Sequence, residues 1–419
     1  MSRTWLLRLV IAFSFAQGAV SMARPAVSYR ALALGADERA VGVIAGVYAL
    51  LPLFAAVPLG RRTDHGRCAP LLPAGVVLIS GGCALSGAAN SLVWMAAWSG
   101  VMGVGHLCFV IGAQSIVARQ SAPDDQDRNF GHFTIGASLG QLVGPVAAGA
   151  VIGGDDMAGT SALALLISAG VCAFAFTSLW RIESRPAPTS SASKDSAPRI
   201  PVHRILRTRG VPGGIFISLA VLSATDILTA YLPVIGEHRG IAPSVVGVLL
   251  SLRAGATIAC RLIMTPLIDW LGRALLITST CLLAALLCAA IALPVPVWAL
   301  AAILVVLGFC LGVGQPLSMT TVVQAAPAEA RSTALALRLT GNRLGQVAAP
   351  ASAGLIAGVA GTAAPFVMLG VLLLVASGLG VRGGGERAGL PGAVAGRVRM
   401  RRGRSRPAAE PLIDTDPRP

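Results

Sequence analysis

Five side chains that can carry charge stand inside long apolar runs of this chain: Arg24, His106, Asp226, Arg253 and Arg343. Such groups are costly in hydrocarbon, so each is a candidate for function. Asp226 is the one acid so placed, and a carboxylate can bind and release a proton when its surroundings change. Desolvation favours the neutral acid, whereas a neighbouring guanidinium favours the carboxylate. Asp226 lies about ten residues from the outer end of its run, and Arg253 about eleven from the outer end of the next. At roughly 1.5 Å per residue both sit about 15–17 Å deep, near mid-membrane. An Asp226–Arg253 pair is therefore allowed by depth. It reads equally as a proton-exchanging couple and as a static pair that orders two helices. His106 alone reads more as a hydrogen-bonded packing residue than as a titrating one.

The elements that must position these groups are membrane helices. Hydrophobic residues make up 55% of the chain and charged residues 12%, with a mean hydropathy of +0.75. A soluble domain carries about a quarter charged residues. Twelve apolar runs of spanning length fall near 6–33, 39–59, 70–89, 92–117, 130–153, 159–180, 211–236, 242–266, 274–292, 296–322, 332–357 and 363–381. They form two sets of six. Gly136-x₃-Gly140-Gln141-x₃-Pro145-x₃-Gly149 recurs as Gly341-x₃-Gly345-Gln346-x₃-Pro350-x₃-Gly354, a shift of 205 (341 − 136). Gly35 maps onto Gly240 and Val41-Gly42-Val43 onto Val246-Gly247-Val248 by the same shift. The expected fold is all-α membrane, with twelve transmembrane helices in two homologous six-helix bundles. Parallel repeats of this size are a transporter plan with the site between the halves.

The boundaries expected are 1–181 for the first bundle, 182–210 for a polar cytoplasmic linker, 211–381 for the second bundle and 382–419 for a disordered basic tail. The tail carries Arg397, Arg399, Arg401, Arg402, Arg404 and Arg406. It reads as a solvated tail in preference to a lipid-docking one. One set of loops holds Arg61, Arg62, Arg67, Arg119, Arg128, Arg181, Arg185, Lys194, Arg199, Arg204, Arg207, Arg209, Arg273 and Arg331. The other set carries Asp37, Glu38, Asp155, Asp156 and Glu237 beside Arg39 and Arg239. The positive-inside bias then puts both termini in the cytoplasm of a cell-membrane protein. The net charge of +15 reflects that topology and predicts no nucleic-acid partner. The first run continues through Arg24-Pro25 and is expected to be retained as a span. Seven of the eight cysteines fall in spans, Cys68 in a loop, and none has metal-ligand spacing.

The segment after the second run reads Gly60-Arg61-Arg62-Thr63-Asp64-His65-Gly66-Arg67. It resembles the signature of the major facilitator superfamily, Gly-x-x-x-Asp-Arg-x-Gly-Arg, with one residue fewer and His65 in place of arginine. The second half keeps Asp269-Trp270-Leu271-Gly272-Arg273 without the leading glycine. In that family the loop is a conformational latch, which implies the role for Gly60, Asp64, Gly66, Arg67, Asp269, Gly272 and Arg273. Glycine would permit a tight turn there, and the aspartates could pair with arginines across the joint between halves. The fifth run, with Gly140-x₃-Gly144-Pro145-x₃-Gly149, resembles the antiporter signature of drug-exporting members. Glycines four apart let helices approach closely, and proline bends the helix.

The resemblance implies a cavity lined by spans one, four, seven and ten. Gln17, Arg24, His106, Gln114, Asp226, Gln315 and, from span eleven, Arg343 are its candidates for substrate contact, with Asp226 and Arg253 the candidates for proton coupling. One family feature is absent: serine, Ser99, stands where exporters carry a span-four arginine linked to proton coupling. Two readings stay open. The first is proton-coupled efflux of drug-like or secondary-metabolite molecules by alternating access. The second is carriage of organic anions or other small metabolites in either direction, favoured by Arg24, Arg253 and Arg343. A polytopic sensor or enzyme is disfavoured, because no nucleotide loop, zinc spacing or nucleophile–base constellation stands out. The expected partners are a small-molecule substrate, a proton as coupling ion and the lipid bilayer. No cofactor or metal is expected, and the chain is expected to act as a monomer.

Overall fold

In lipid, a backbone has to satisfy its own hydrogen bonds, and long apolar runs do so as helices. The computed structural model of the protein describes residues 4–65, 69–121, 126–153, 156–179, 182, 202–326 and 331–384. The first half holds α1 (Thr4–Ala33), α2 (Glu38–His65), α3 (Leu71–Ala88), α4 (Leu92–Gln120), α5 (Gln126–Val151) and α6 (Met157–Ala173), which ends in a 3-10 turn at Phe174–Ser178. A short α7 (Val202–Leu206) precedes α8 (Val211–His238), α9 (Pro243–Leu262), α10 (Met264–Leu271), α11 (Arg273–Ile291), α12 (Val297–Ala325), α13 (Arg331–Ala360) and α14 (Ala364–Gly384). The eighth apolar run is thus divided between α9 and α10. Among the described residues, ten helices are long and apolar enough to cross a membrane. The arginine-bearing α13 and the shorter apolar stretch of α14 complete the twelve.

Local chemistry marks the helix ends. Ser91 and Asp156 cap α4 and α6 by accepting from the backbone N–H of Trp94 (3.4 Å) and Gly159 (2.7 Å). The turns α1–α2 and α8–α9 use Gly35 (φ 81°) and Gly240 (φ 63°), a left-handed geometry that favours glycine. These two residues are partners in the 205-residue repeat. The same shift carries α4, 92–120, onto 297–325, the bounds of α12. Packing repeats as well. Helix α1 lies on α5 and α6 as α8 lies on α13 and α14, and α3 lies on α4 and α6 as α11 lies on α12 and α14.

Between the halves, α2 packs on α13 and α5 packs on α9, a pair of contacts that the repeat interchanges; α1 meets α8 between them. The buried core runs through both bundles, with Phe13 stacked on Phe133 (4.3 Å between centroids) and Phe109 (5.9 Å). Large apolar side chains such as Phe54, Val93, Trp270 and Val359 are instead exposed, as lipid-facing positions require. The seven cysteines of the spans are buried and free.

Three expectations need correction. Gly60 and Asp64 lie within the helix of α2 and not in a turn after it; their side chains, and all of Gly66 and Arg67, are outside the described residues. The linker is not wholly unpacked. Ile182 is buried and its carbonyl accepts from Gln120 (2.7 Å), while α7 buries Ile205 against Val211, Val322, Ala326 and Ala334. These apolar residues give each end of a polar segment something to bury. Finally, α14 runs to Gly384, slightly past the expected start of the tail, of which 385–419 is not described.

Candidate functional site

The central ion pair joins the halves. Arg24, seven residues after Gln17 on α1, places Nη1 2.7 Å from Oδ1 of Asp226 on α8. The Asp226 side chain is 5% exposed and that of Arg24 22%. The second carboxylate oxygen accepts from Gln346 Nε2 on α13 (3.0 Å), and Gln346 Oε1 accepts from Arg343 Nη1 (2.9 Å). Both oxygens of Asp226 are thereby engaged. Helices α1, α8 and α13 hold these groups because small residues let them close up. Gly345, beside Gln346, lies against Leu219 and Ser223 of α8.

A neutral network adjoins the pair. The Arg24 guanidinium lies over the Tyr48 ring, 5.3 Å from its centroid, a cation–π arrangement. Gln17 Nε2 donates to Ser21 Oγ (3.2 Å), so Gln17 Oε1 is the acceptor for His106 Nε2 (3.1 Å). His106 Nδ1 then accepts from the Tyr48 hydroxyl (2.8 Å). This proton placement is an assignment from the hydrogen-bond network; as assigned, His106 is a neutral imidazole with both nitrogens satisfied. A cavity of about 20 Å³, room for a single water-sized guest, opens beside Arg24, Ser28, Tyr48, Ser99 and Met102.

Arg253, on α9, lacks this satisfaction. It is 9% exposed and its Nε is buried without a hydrogen-bond partner. The charges that act on it are those of Arg24 and Asp226. The expected Asp226–Arg253 pair is therefore replaced by Arg24–Asp226. The carboxylate is turned toward α1, although its charge still acts on Arg253.

The remaining candidates divide. Gln17, His106 and Arg343 join the central network. Gln315 instead sits in a second cluster, where its Nε2 donates to Ser218 O (2.8 Å) and its Oε1 accepts from Arg338 Nη2 (2.7 Å). Gln114 is exposed and belongs to neither. Asp269 and Arg273 flank Gly272 (φ 75°), both exposed; a glycine turn is present there, in the half that lacks the leading glycine. Sequence reasoning missed Tyr48, Gln346 and Arg338. Arg338 is buried inside an apolar run, so the rule that singled out Arg343 would have found it. Gln346 was already marked as the repeat twin of Gln141.

The span-five motif has a clear place. At the end of the bundle remote from the termini, Gly247 of α9 lies directly against Pro145 O and Gly149 of α5. Its repeat twin does the same: a Cβ on Gly42 of α2 would fall 2.6 Å from Pro350 O and 2.8 Å from Gly354 Cα of α13. Gly140 and Gly144 serve a different contact, lying on Gln17, Gly18 and Ser21 of α1. Around these crossings the Tyr231 hydroxyl donates to Glu38 O (2.9 Å), Arg39 donates to Gly358 O (3.1 Å) and His238 lies 3.3 Å from Glu38. All three link one half to the other.

Two six-helix halves, related by a repeat and joined at mid-depth by an ion pair, are matched by one family. The sequence profile of the Major Facilitator Superfamily covers residues 9–297 and 214–399. The chain belongs to that superfamily. No curated protein sequence matches the chain. Among solved structures, it is similar to a mutant of the nucleoside transporter NupG, with a TM-score of 0.75, 14% identity and coverage of 90% of this chain and 99% of that one. It is also similar to a POT family transporter in complex with 5-aminolevulinic acid (0.73, 14%, 89% and 94%). A third is a bacterial homologue of the human lysosomal transporter Spinster, inward-facing and occupied (0.71, 14%, 90% and 96%). At such identities the likeness is one of fold. With the family it makes this chain a multi-pass membrane transporter.

Proposed function

We propose that this superfamily member is a proton-coupled secondary transporter of small organic molecules, working by alternating access, with Asp226 as the group that takes up and releases the proton. One observation carries the reading: a buried carboxylate at the joint has its counter-cation on the opposite half. While Asp226 is ionised, its bond to Arg24 ties the halves at mid-depth and each charge compensates the other. Protonation removes the anion and leaves Arg24 uncompensated, so proton occupancy biases which arrangement of the halves is stable. The state described here is closed at the end remote from the termini. Under the positive-inside reading that end faces outward, both termini are cytoplasmic and the membrane is that of the cell.

Cargo and direction have two readings. Efflux of drug-like or secondary-metabolite molecules in exchange for protons is supported by the α5 motif, whose Pro145 and Gly149 lie in the closing crossing. Carriage of organic anions is supported by Arg253, whose buried Nε has no hydrogen-bond partner among the described residues. Asp64, Arg67, Asp269 and Arg273 keep the proposed role of latch at the opposite end. The test is reconstitution into vesicles holding a pH-sensitive dye and an imposed proton gradient. Lipophilic cations, neutral drugs and organic anions are then added in turn. Collapse of the gradient by one class, lost in Asp226→Asn, supports the proposal and names the class. Cargo flux that leaves the gradient untouched sinks the coupling.

A further inference from the structure

We infer that Arg253 is the receiving group for a carboxylate on the transported molecule. The inference rests on the transporter reading above and deepens it by naming the cargo's chemistry.

Arg253 is more than nine-tenths buried, its Nε has no hydrogen-bond partner, and no ion pair of its guanidinium is found among the described residues. A guanidinium carries five donors, and burying it without an acceptor in the hydrocarbon region is among the costliest arrangements open to a membrane helix. Asp226 acts on it through its charge but forms no ion pair with it; its carboxylate oxygens are bonded to Arg24 and Gln346. Nor does Arg343 bring an acid; its recorded acceptor is the neutral amide of Gln346. Among the described residues, the guanidinium groups of Arg24, Arg253 and Arg343 stand around the site against the carboxylate of Asp226. His106 and Tyr48, the other titratable groups in contact, are neutral and bonded to each other.

The position is also rigid. The backbone of Arg253 lies directly on Gly308 of α12, and Thr257 Oγ1 bridges Arg253 O (3.1 Å) and Gly308 O (2.8 Å). A desolvated guanidinium on a fixed backbone, with its Nε free of any partner among the described residues, suits a planar oxyanion, which it can grip with two parallel hydrogen bonds. A cationic cargo would meet repulsion from the same three arginines. The sign of the coupling follows. Protonating Asp226 removes the negative charge that acts on Arg253, so proton and carboxylate each strengthen the binding of the other. They then move together, in contrast to the exchange expected for a cationic drug.

The experiment is thermal unfolding of the purified full chain, read by a thiol dye that reports the buried cysteines as they emerge. The probes are acetate, benzoate, succinate, citrate and inorganic phosphate, with tetraphenylphosphonium as the cation. The expected result is that at least one organic carboxylate stabilises the protein. Its affinity should fall about tenfold or more in Arg253→Gln, recover in part in Arg253→Lys and rise in Asp226→Asn. Should Arg253→Gln fail to fold, the loss between wild type and Arg253→Lys is the deciding comparison. Three results overturn the inference: no carboxylate binds, only the cation or only phosphate binds, or carboxylate affinity is indifferent to Arg253. Vesicle flux separates the two proposals. A carboxylate that binds through Arg253 but is never moved sinks the transporter reading, and one that is moved independently of Arg253 sinks the site.

Discussion

Adding one methyl group at Gly42 or Gly247 should open the end of the bundle that is now closed. In Gly42→Ala the new carbon would lie 2.8 Å from Gly354 Cα and 2.6 Å from Pro350 O, and it would also meet the Tyr231 hydroxyl. Carbon atoms pack at about 3.5–4.0 Å, so α2 and α13 must separate by roughly 0.7 Å or more. The obstacles are helix backbones, which cannot rotate aside as a flexible side chain would. Overpacking of this kind costs about 1–3 kcal/mol, and here it burdens only the state in which the crossing is shut. The ratio of shut to open protein should fall by about 5- to 150-fold. Gly247→Ala, against Pro145 and Gly149, should do the same. Spin labels on Asp37→Cys and Ala242→Cys, both exposed at that end and on opposite halves, report the distance. The expected outcome is a new population at longer separation in either variant. Gly81→Ala is the control, because nothing lies within 4 Å of that position; it should keep the original distribution. An unchanged distribution in Gly42→Ala and Gly247→Ala would refute the assignment of these crossings as the closure.

Other outcomes follow from the same geometry. Arg24→Gln and Asp226→Asn should each lower stability by about 3–5 kcal/mol, since each leaves a buried partner uncompensated, and the double variant should recover most of the loss. Thermal midpoints of the three proteins give the coupling, and additive losses would mean the pair is not an energetic unit. Tyr231→Phe removes the hydroxyl donated to Glu38 O and should cost the shut state about 1 kcal/mol, visible as a smaller shift in the same spin-label distances. The seven buried cysteines should resist a membrane-impermeant maleimide in the folded protein; mass spectrometry showing rapid labelling at Cys83 or Cys288 would contradict the helix packing.

The sequence made the helices and their pairing into two bundles readable because hydrocarbon leaves the backbone little choice and because the repeat writes each element twice. Gly35 and Gly240 could be matched before their left-handed turns were seen, and the 205-residue shift carries α4 onto α12. Partner choice at the site was not readable to the same degree. Counting residues from a helix end gives the depth of Asp226 and Arg253 but says nothing of the direction in which each points. Rotation about the axis of α8 turns Asp226 to Arg24 and leaves Arg253 without an ion pair among the described residues. Tyr48 escaped notice because an aromatic residue in an apolar run looks like packing, and only the fold sets its ring beneath Arg24. The role of Pro145 and Gly149 was hidden for a related reason. Their counterpart, Gly247, lies in the other half, and a spacing rule within one helix cannot see it.

The most direct measurement of the central claim compares two modes of flux in vesicles containing wild type or Asp226→Asn. One mode is accumulation of labelled cargo driven by a proton gradient. The other is exchange of labelled for unlabelled cargo with no gradient imposed. If Asp226 carries the coupling proton, the variant loses gradient-driven accumulation and keeps exchange, because rocking of the loaded halves does not require the proton to leave. Gradient-driven accumulation that persists in Asp226→Asn would contradict the account.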